Sequence, residues 1–246
     1  EIFLVMVSGM GTIAGSVMGT YIGMLGGTDP AAKVLFATHL LSASVMAVPG
    51  SIVLAKMLCP QTEEATDHVA ISGKEKENSN ILDAISSGTV TGVKLMTNIA
   101  AMLLVFISLV ALANYITEGV IGRYTGLNDW IVKITDGKAQ GLTFQFILGV
   151  ITSPFMWLIG VPSQDIMLVG SLLGQKTILN EFVAYFQLQQ WKDAGLFMYE
   201  KSILMSTYIL CGFANISSIG ILLGGLGVLA PEKRGLISRI GVPAMI

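Results

Sequence analysis

The sequence predicts an all-α integral membrane protein, with several spans, discontinuous helices and a re-entrant hairpin. Three observations carry this. First, 53% of the 246 residues are hydrophobic and only 12% are charged, about half the charge of an ordinary globular domain. Second, charge-free runs recur that are long enough to cross roughly 30 Å of hydrocarbon as helix. Third, small and polar residues collect in the middle of some of these runs, where intact lipid-facing helices have no use for them.

Residues 2–28 carry no charge and hold Ser8, Gly11, Thr12, Gly15, Ser16 and Gly19. Two readings fit: close packing through the glycines spaced by four, or a helix interrupted in mid-membrane whose freed backbone lines a site. Asp29-Pro30 is a helix-start signal. Residues 34–55 form a second uncharged span, ended by Cys59-Pro60. Its His39 fits a proton relay or a hydrogen-bonded packing residue. Residues 1–60 thus read as a discontinuous helix and the span after it. Residues 61–83, dense in acidic and basic side chains, read as a solvated loop.

A scaffold span is expected over 84–118, with its uncharged core from Leu95 to Thr117. Residues 119–162 read as a polar connection and an interfacial helix. Tyr115, Tyr124 and Trp130 suit a membrane–water boundary, and the apolar run 142–162 is broken by Pro154 and Pro162. Residues 163–191 hold Gly-Gln-Lys near their middle. Two arms of about a dozen residues reach only about 18 Å each, which predicts a re-entrant hairpin with Lys176, Asn180 and Glu181 at or near its tip. Residues 192–231 read as a second discontinuous helix, with Asn215, Ser217 and Ser218 between Gly212 and Gly220. Residues 232–246 begin a last span.

Net charge is −2, which gives no case for nucleic acid as a partner. Cys59 and Cys211 lie far apart with no metal-ligand spacing. No nucleophile–base pair and no HExxH occurs, so the chain does not read as an enzyme, and no cofactor is indicated. The chain opens without an initiator Met, which is expected of a piece of a longer protein.

Gly9-Met-Gly-Thr-Ile-Ala-Gly15 and Gly212-Phe-Ala-Asn-Ile-Ser-Ser218 share one order: glycine, large apolar, small, polar, Ile, small, small. Paired interrupted helices in two halves of a chain point to a transporter's midplane site. Gly174-x-Lys176-x-x-x-Asn180-Glu-Phe-Val-Ala184 resembles the signature of the concentrative nucleoside transporters. Cys211 to Ser218 is similar to that family's discontinuous seventh helix, and Thr12-Ile-Ala-Gly-Ser-Val17 to its fourth. The resemblance implies half of an inverted-repeat transporter fold, in a multi-pass homotrimer of the cell membrane lipid bilayer. It implies symport of a uridine-like nucleoside with sodium or protons. A facilitative channel or permease for another small polar solute is the alternative.

By position, the resemblance makes Glu181 the acceptor of ribose hydroxyls, Asn215 and Ser218 its polar neighbours, Phe213 an aromatic neighbour and Val17 a base contact. It puts sodium at Thr12, through its hydroxyl, and at Ile13, through its backbone carbonyl. The chemistry agrees: an ionised carboxylate is acceptor-only and takes vicinal hydroxyls. Lys176 is left unassigned, with a structural pair to Glu181 as one reading. Asn180 is expected to shape the tip.

Overall fold

The computed structural model describes residues 2–60, 80–135, 137, 139–229 and 231–245. The expected loop 61–83 falls mainly on 61–79, outside the described residues. The described chain is helical, in the order α1 Ile2–Gly11, α2 Gly15–Gly26, α3 Pro30–Leu58, α4 Ile81–Asn114, a π-helical stretch Tyr115–Gly122, α5 Arg123–Thr125, α6 Leu127–Ile134, α7 Phe144–Leu158, α8 Ile166–Ile178, α9 Glu181–Asp193, α10 Glu200–Leu210, α11 Ile216–Leu229 and, after a 3-10 turn, α12 Arg234–Met245.

Two units are distinguished. One comprises Glu1–Pro60 and Ala113–Ile246, and the other Gln61–Leu112. In the smaller unit the described structure is the body of α4, where Ile81, Leu82, Val90 and Leu104 are exposed.

In the larger unit α2 turns into α3 through Gly26-Gly27. A Cβ at Gly26 would lie 2.8 Å from the Lys33 backbone, and Gly27 takes φ 56°. Asp29 then caps α3, accepting from the Ala31 and Ala32 N–H groups at 3.0 and 3.3 Å, with Pro30 at the first helical position, where its missing N–H costs nothing. The main core joins Ile13, Tyr21, Leu25 and Leu40 to Leu172, Tyr185, Leu188 and Leu210, so it binds α2 and α3 to α8, α9 and α10. The span pairs Ile2–Gly26 and Pro30–Leu58 are long and apolar enough to cross a membrane, and Leu41, Val45, Val53 and Met57 of α3 lie more than half exposed.

Helix α7 packs along α8 through small residues. A Cβ at Gly170 would come within 3.0 Å of the Gly149 carbonyl, and one at Gly174 within 2.5 Å of Leu148. Gly174 therefore serves close packing.

The run 2–28 breaks at residues 12–14, with Gly11 close to α3, a Cβ there standing 3.4 Å from Ser51. Two expectations need correction. The scaffold helix does not end near 118. Charged residues do not stop a helix, and it runs on to Thr125, where Gly126 at φ 71° ends it. Pro154 does not break the 142–162 run. It sits inside α7, where Thr152 and Ser153 hydroxyls donate to carbonyls one turn back at 2.8 and 2.6 Å. Gly-Gln-Lys belongs to α8 and the chain turns three residues later, which leaves Lys176 near the tip.

Candidate functional site

The turn between α8 and α9 is two residues long. Leu179 ends α8 and Asn180 caps α9, its backbone extended and its Oδ1 accepting from the Val183 N–H at 3.0 Å. The amide thus satisfies one of the orphan donors that every helix start exposes. Asn180 shapes the tip, as expected. Ser171 and Gln187, on either side of the turn, line one cavity of about 410 Å³, so the two arms fold back beside each other. Each arm has 13 residues, roughly 20 Å at about 1.5 Å per residue. Glu181, the first residue of α9, is buried with only 7% of its surface accessible.

The two broken helices meet at their breaks. At the first, α1 stops at Gly11 and α2 starts at Gly15; at the second, α10 stops at Leu210 and α11 starts at Ile216. The Phe213 N–H donates to the Met10 carbonyl at 2.7 Å, so an orphan donor of one break satisfies an orphan acceptor of the other. Gly212 makes this approach possible. It takes φ 151°, and a Cβ there would stand 3.2 Å from the Gly11 carbonyl.

Asn215 and Ser218 form a reciprocal cap on α11. The Asn215 Oδ1 accepts from the Ser218 N–H at 2.8 Å, and the Ser218 Oγ accepts from the Asn215 N–H at 3.1 Å. The Ser218 hydroxyl also donates to the Asn215 carbonyl at 2.7 Å. This is the capping-box arrangement with Ser in the third helical position. The cap leaves the Asn215 amide nitrogen aimed at the hairpin, where Nδ2 donates to Glu181 Oε2 at 3.1 Å. Both side chains are buried. The hairpin tip and the second break are therefore joined by a charge-assisted hydrogen bond in an apolar setting.

Lys176 does not pair with Glu181. Its ammonium donates to the Ile209 carbonyl at 3.0 Å, and no ion pair to Glu181 occurs among the described residues. The physical reason lies in α10, whose last turn leaves carbonyls without partners just where the chain breaks; a cation is favourable at that negative end. Lys176 therefore holds the broken helix end.

The remaining expected residues lie around this junction. Ile13 is buried in the main core and Val17 packs against it. Thr12 and Phe213 are half-buried. The side chain of Ser217 lies outside the described residues. Thr12 and Ile13 sit where α1 ends, a place rich in hard oxygen donors of the kind that an alkali cation accepts. The Met10 carbonyl accepts from Phe213 and keeps one lone pair.

Three residues escaped sequence reasoning. Ser44 of α3 serves both breaks, its Oγ accepting from the Ile13 N–H at 3.4 Å and lying 3.8 Å from the Cys211 sulfur. Nothing local separates it from the other small polar residues of that span. Tyr185 donates from its buried hydroxyl to the Thr207 carbonyl at 2.8 Å. Tyr21 stacks on Tyr185 with ring centroids 4.1 Å apart. The signal for Tyr21 was available: it lies four residues after Val17, on the same helix face. His39 is partnered, its Nδ1 sharing a hydrogen bond of 2.9 Å with the Tyr208 hydroxyl.

Known proteins resemble the chain over most or all of its length. A family model described as "Na+ dependent nucleoside transporter C-terminus" matches residues 39–246. An "uncharacterized transporter" of Haemophilus influenzae is 39% identical, the match covering 100% of this chain and 54% of that protein. "Sodium/nucleoside cotransporter 1" of Sus scrofa is 37% identical over 100% of this chain and 37% of its own length. Among solved structures, CNTnw in an inward-facing substrate-bound state aligns with a TM-score of 0.75 at 34% identity, covering 99% of this chain and 52% of that one. The chain spans about half the length of the first of these relatives, or less.

Proposed function

The chain belongs to the concentrative nucleoside transporter family, and from that premise we propose that it forms the ribose-binding half of an ion-coupled nucleoside symporter. The observation that carries the proposal is the bond from Asn215 Nδ2 to Glu181 Oε2, which joins a hairpin tip to a helix break inside an apolar core.

In this reading residues 163–191 enter and leave the membrane by one side, and the breaks at 12–14 and 211–215 are related as an inverted pair with elements outside this chain. Glu181 accepts the ribose hydroxyls. A carboxylate offers about four lone-pair positions, and Asn215 occupies one. A sugar lacking a hydroxyl is then disfavoured, because a buried acceptor stays unpaired. Ser218 acts through Asn215, since its hydroxyl is committed to the cap. Phe213 and Val17 supply apolar surface to the nucleoside. The coupling ion is sodium, taken at the first break by the Thr12 hydroxyl and the Ile13 carbonyl; when bound it adds positive charge there. The assembly is a homotrimer in the cell membrane, and a uridine-like nucleoside is the substrate.

The test is uptake by the intact protein. Glu181→Gln loses most uridine uptake while reaching the membrane in normal amount; wild-type uptake by that variant sinks the ribose role. Replacing sodium with choline at two pH values decides the ion. Loss of accumulation at both values supports sodium, and retention at the acidic value only supports protons. Accumulation indifferent to both gradients identifies a facilitative pathway and overturns symport.

A further inference from the structure

We infer that Tyr21 is a positioning residue for the nucleoside site, orienting the Glu181 carboxylate through its hydroxyl. The inference rests on the reading of Glu181 as the ribose acceptor.

Tyr21 has no accessible surface. Its ring is held on two sides by α9, stacked on Tyr185 at 4.1 Å with 24° between planes and tilted against Phe182 at 6.4 Å. Tyr185 is itself anchored to α10 through its hydroxyl. The Tyr21 ring is therefore fixed by packing from a neighbour that is also fixed.

The rings it packs on, Phe182 and Tyr185, follow Glu181 by one and four residues, which sets the tyrosine on the face of α9 that carries the carboxylate, and its buried hydroxyl closes no hydrogen bond of normal geometry. A buried donor in an apolar core, left without a partner, is unfavourable. Enclosed as it is, it has the adjacent carboxylate as its natural acceptor. A phenol donating to a carboxylate makes one of the stronger hydrogen bonds in proteins. Glu181 has rotatable side-chain bonds and Tyr21 has none to spare. A small turn of the carboxylate completes the bond, and the tyrosine sets the angle at which the carboxylate comes to rest.

Asn215 from one side and Tyr21 from the other then leave the remaining lone pairs directed at the substrate. Tyr21 stands one turn beyond Val17 on α2, on the same face. The arrangement therefore ties the apolar side of the nucleoside pocket to its polar side.

The experiment uses the intact protein and measures KM and maximal rate for uridine and 3′-deoxyuridine in Tyr21→Phe, Glu181→Gln and the double variant. Tyr21→Phe raises the uridine KM about tenfold, the worth of one charge-assisted hydrogen bond. It raises the 3′-deoxyuridine KM by less than about threefold, because that sugar leans less on the carboxylate. In the Glu181→Gln background, uridine-dependent thermal protection of the purified protein changes by less than about twofold on adding Tyr21→Phe. Equal losses for both nucleosides, a wild-type uridine KM, or a full Tyr21→Phe effect without the carboxylate each overturn the inference. So does failure of Tyr21→Phe to assemble, since deleting an unpaired hydroxyl leaves the ring stack intact. Loss of uptake in Glu181→Gln beside an unchanged Tyr21→Phe refutes Tyr21 alone. Normal uptake in Glu181→Gln refutes the ribose reading beneath it.

Discussion

Asn215 has two jobs that substitution can separate. Its Oδ1 caps α11 through the Ser218 N–H, and its Nδ2 holds Glu181. Serine caps a helix about as well as asparagine, but its hydroxyl stops short of the carboxylate. Asn215→Ser therefore keeps the cap and loses the bond to Glu181, whereas Asn215→Ala loses both. A hydrogen bond to a charged group contributes about 1.5–3 kcal/mol, so both variants should raise the uridine KM by roughly 10- to 150-fold. The cap contributes a further ~1 kcal/mol of stability, which only the alanine variant gives up. In a chain of this size that lowers the unfolding temperature by roughly 2–4 °C. The assays are uridine uptake normalised to protein at the cell surface, and thermal unfolding in detergent. A serine variant with the wild-type KM, or serine and alanine variants that unfold together, would refute the division of labour.

The other predictions concern the breaks. Gly212→Ala places a Cβ 3.2 Å from the Gly11 carbonyl at φ 151°, a conformation costing about 1–3 kcal/mol in other residues; thermal unfolding should fall accordingly, and an unshifted transition refutes the close crossing. Lys176→Met removes the donor to the Ile209 carbonyl and leaves a helix-end acceptor unpaired, at a cost of about 1–3 kcal/mol. Thermal unfolding in detergent measures the loss, and an unshifted transition refutes the helix-end role of Lys176.

Much of the architecture was legible because its signals are local. Charge-free length marks spans, Asp29-Pro30 marks a helix start, and Gly212, Asn215 and Ser218 within an uncharged run mark a break. Each reflects the need of a backbone in hydrocarbon to satisfy its own N–H and C=O groups. Boundaries fared less well where the stop signal was one residue's conformation, as at Gly126, or where a proline was absorbed, as at Pro154. The likeness of 9–15 to 212–218 marked two breaks, and the structure brings those breaks into contact through Phe213 and Met10.

By itself, then, the sequence determined that helices break in mid-span and that a carboxylate, an amide and a lysine lie buried beside the breaks. Only the tertiary structure decided who partners whom. Lys176 and Glu181 are five apart and of opposite charge, which makes a pair the natural sequence reading. In the fold no ion pair joins them among the described residues. The lysine goes to a helix end 33 residues away, and the carboxylate to an amide 34 residues away. Tyr21 shares a helix face with Val17 by spacing, but its packing against α9 is visible only in the fold. The physical reason is that a break creates unpaired backbone groups locally, while the side chains that satisfy them arrive from distant segments through packing that spacing does not encode.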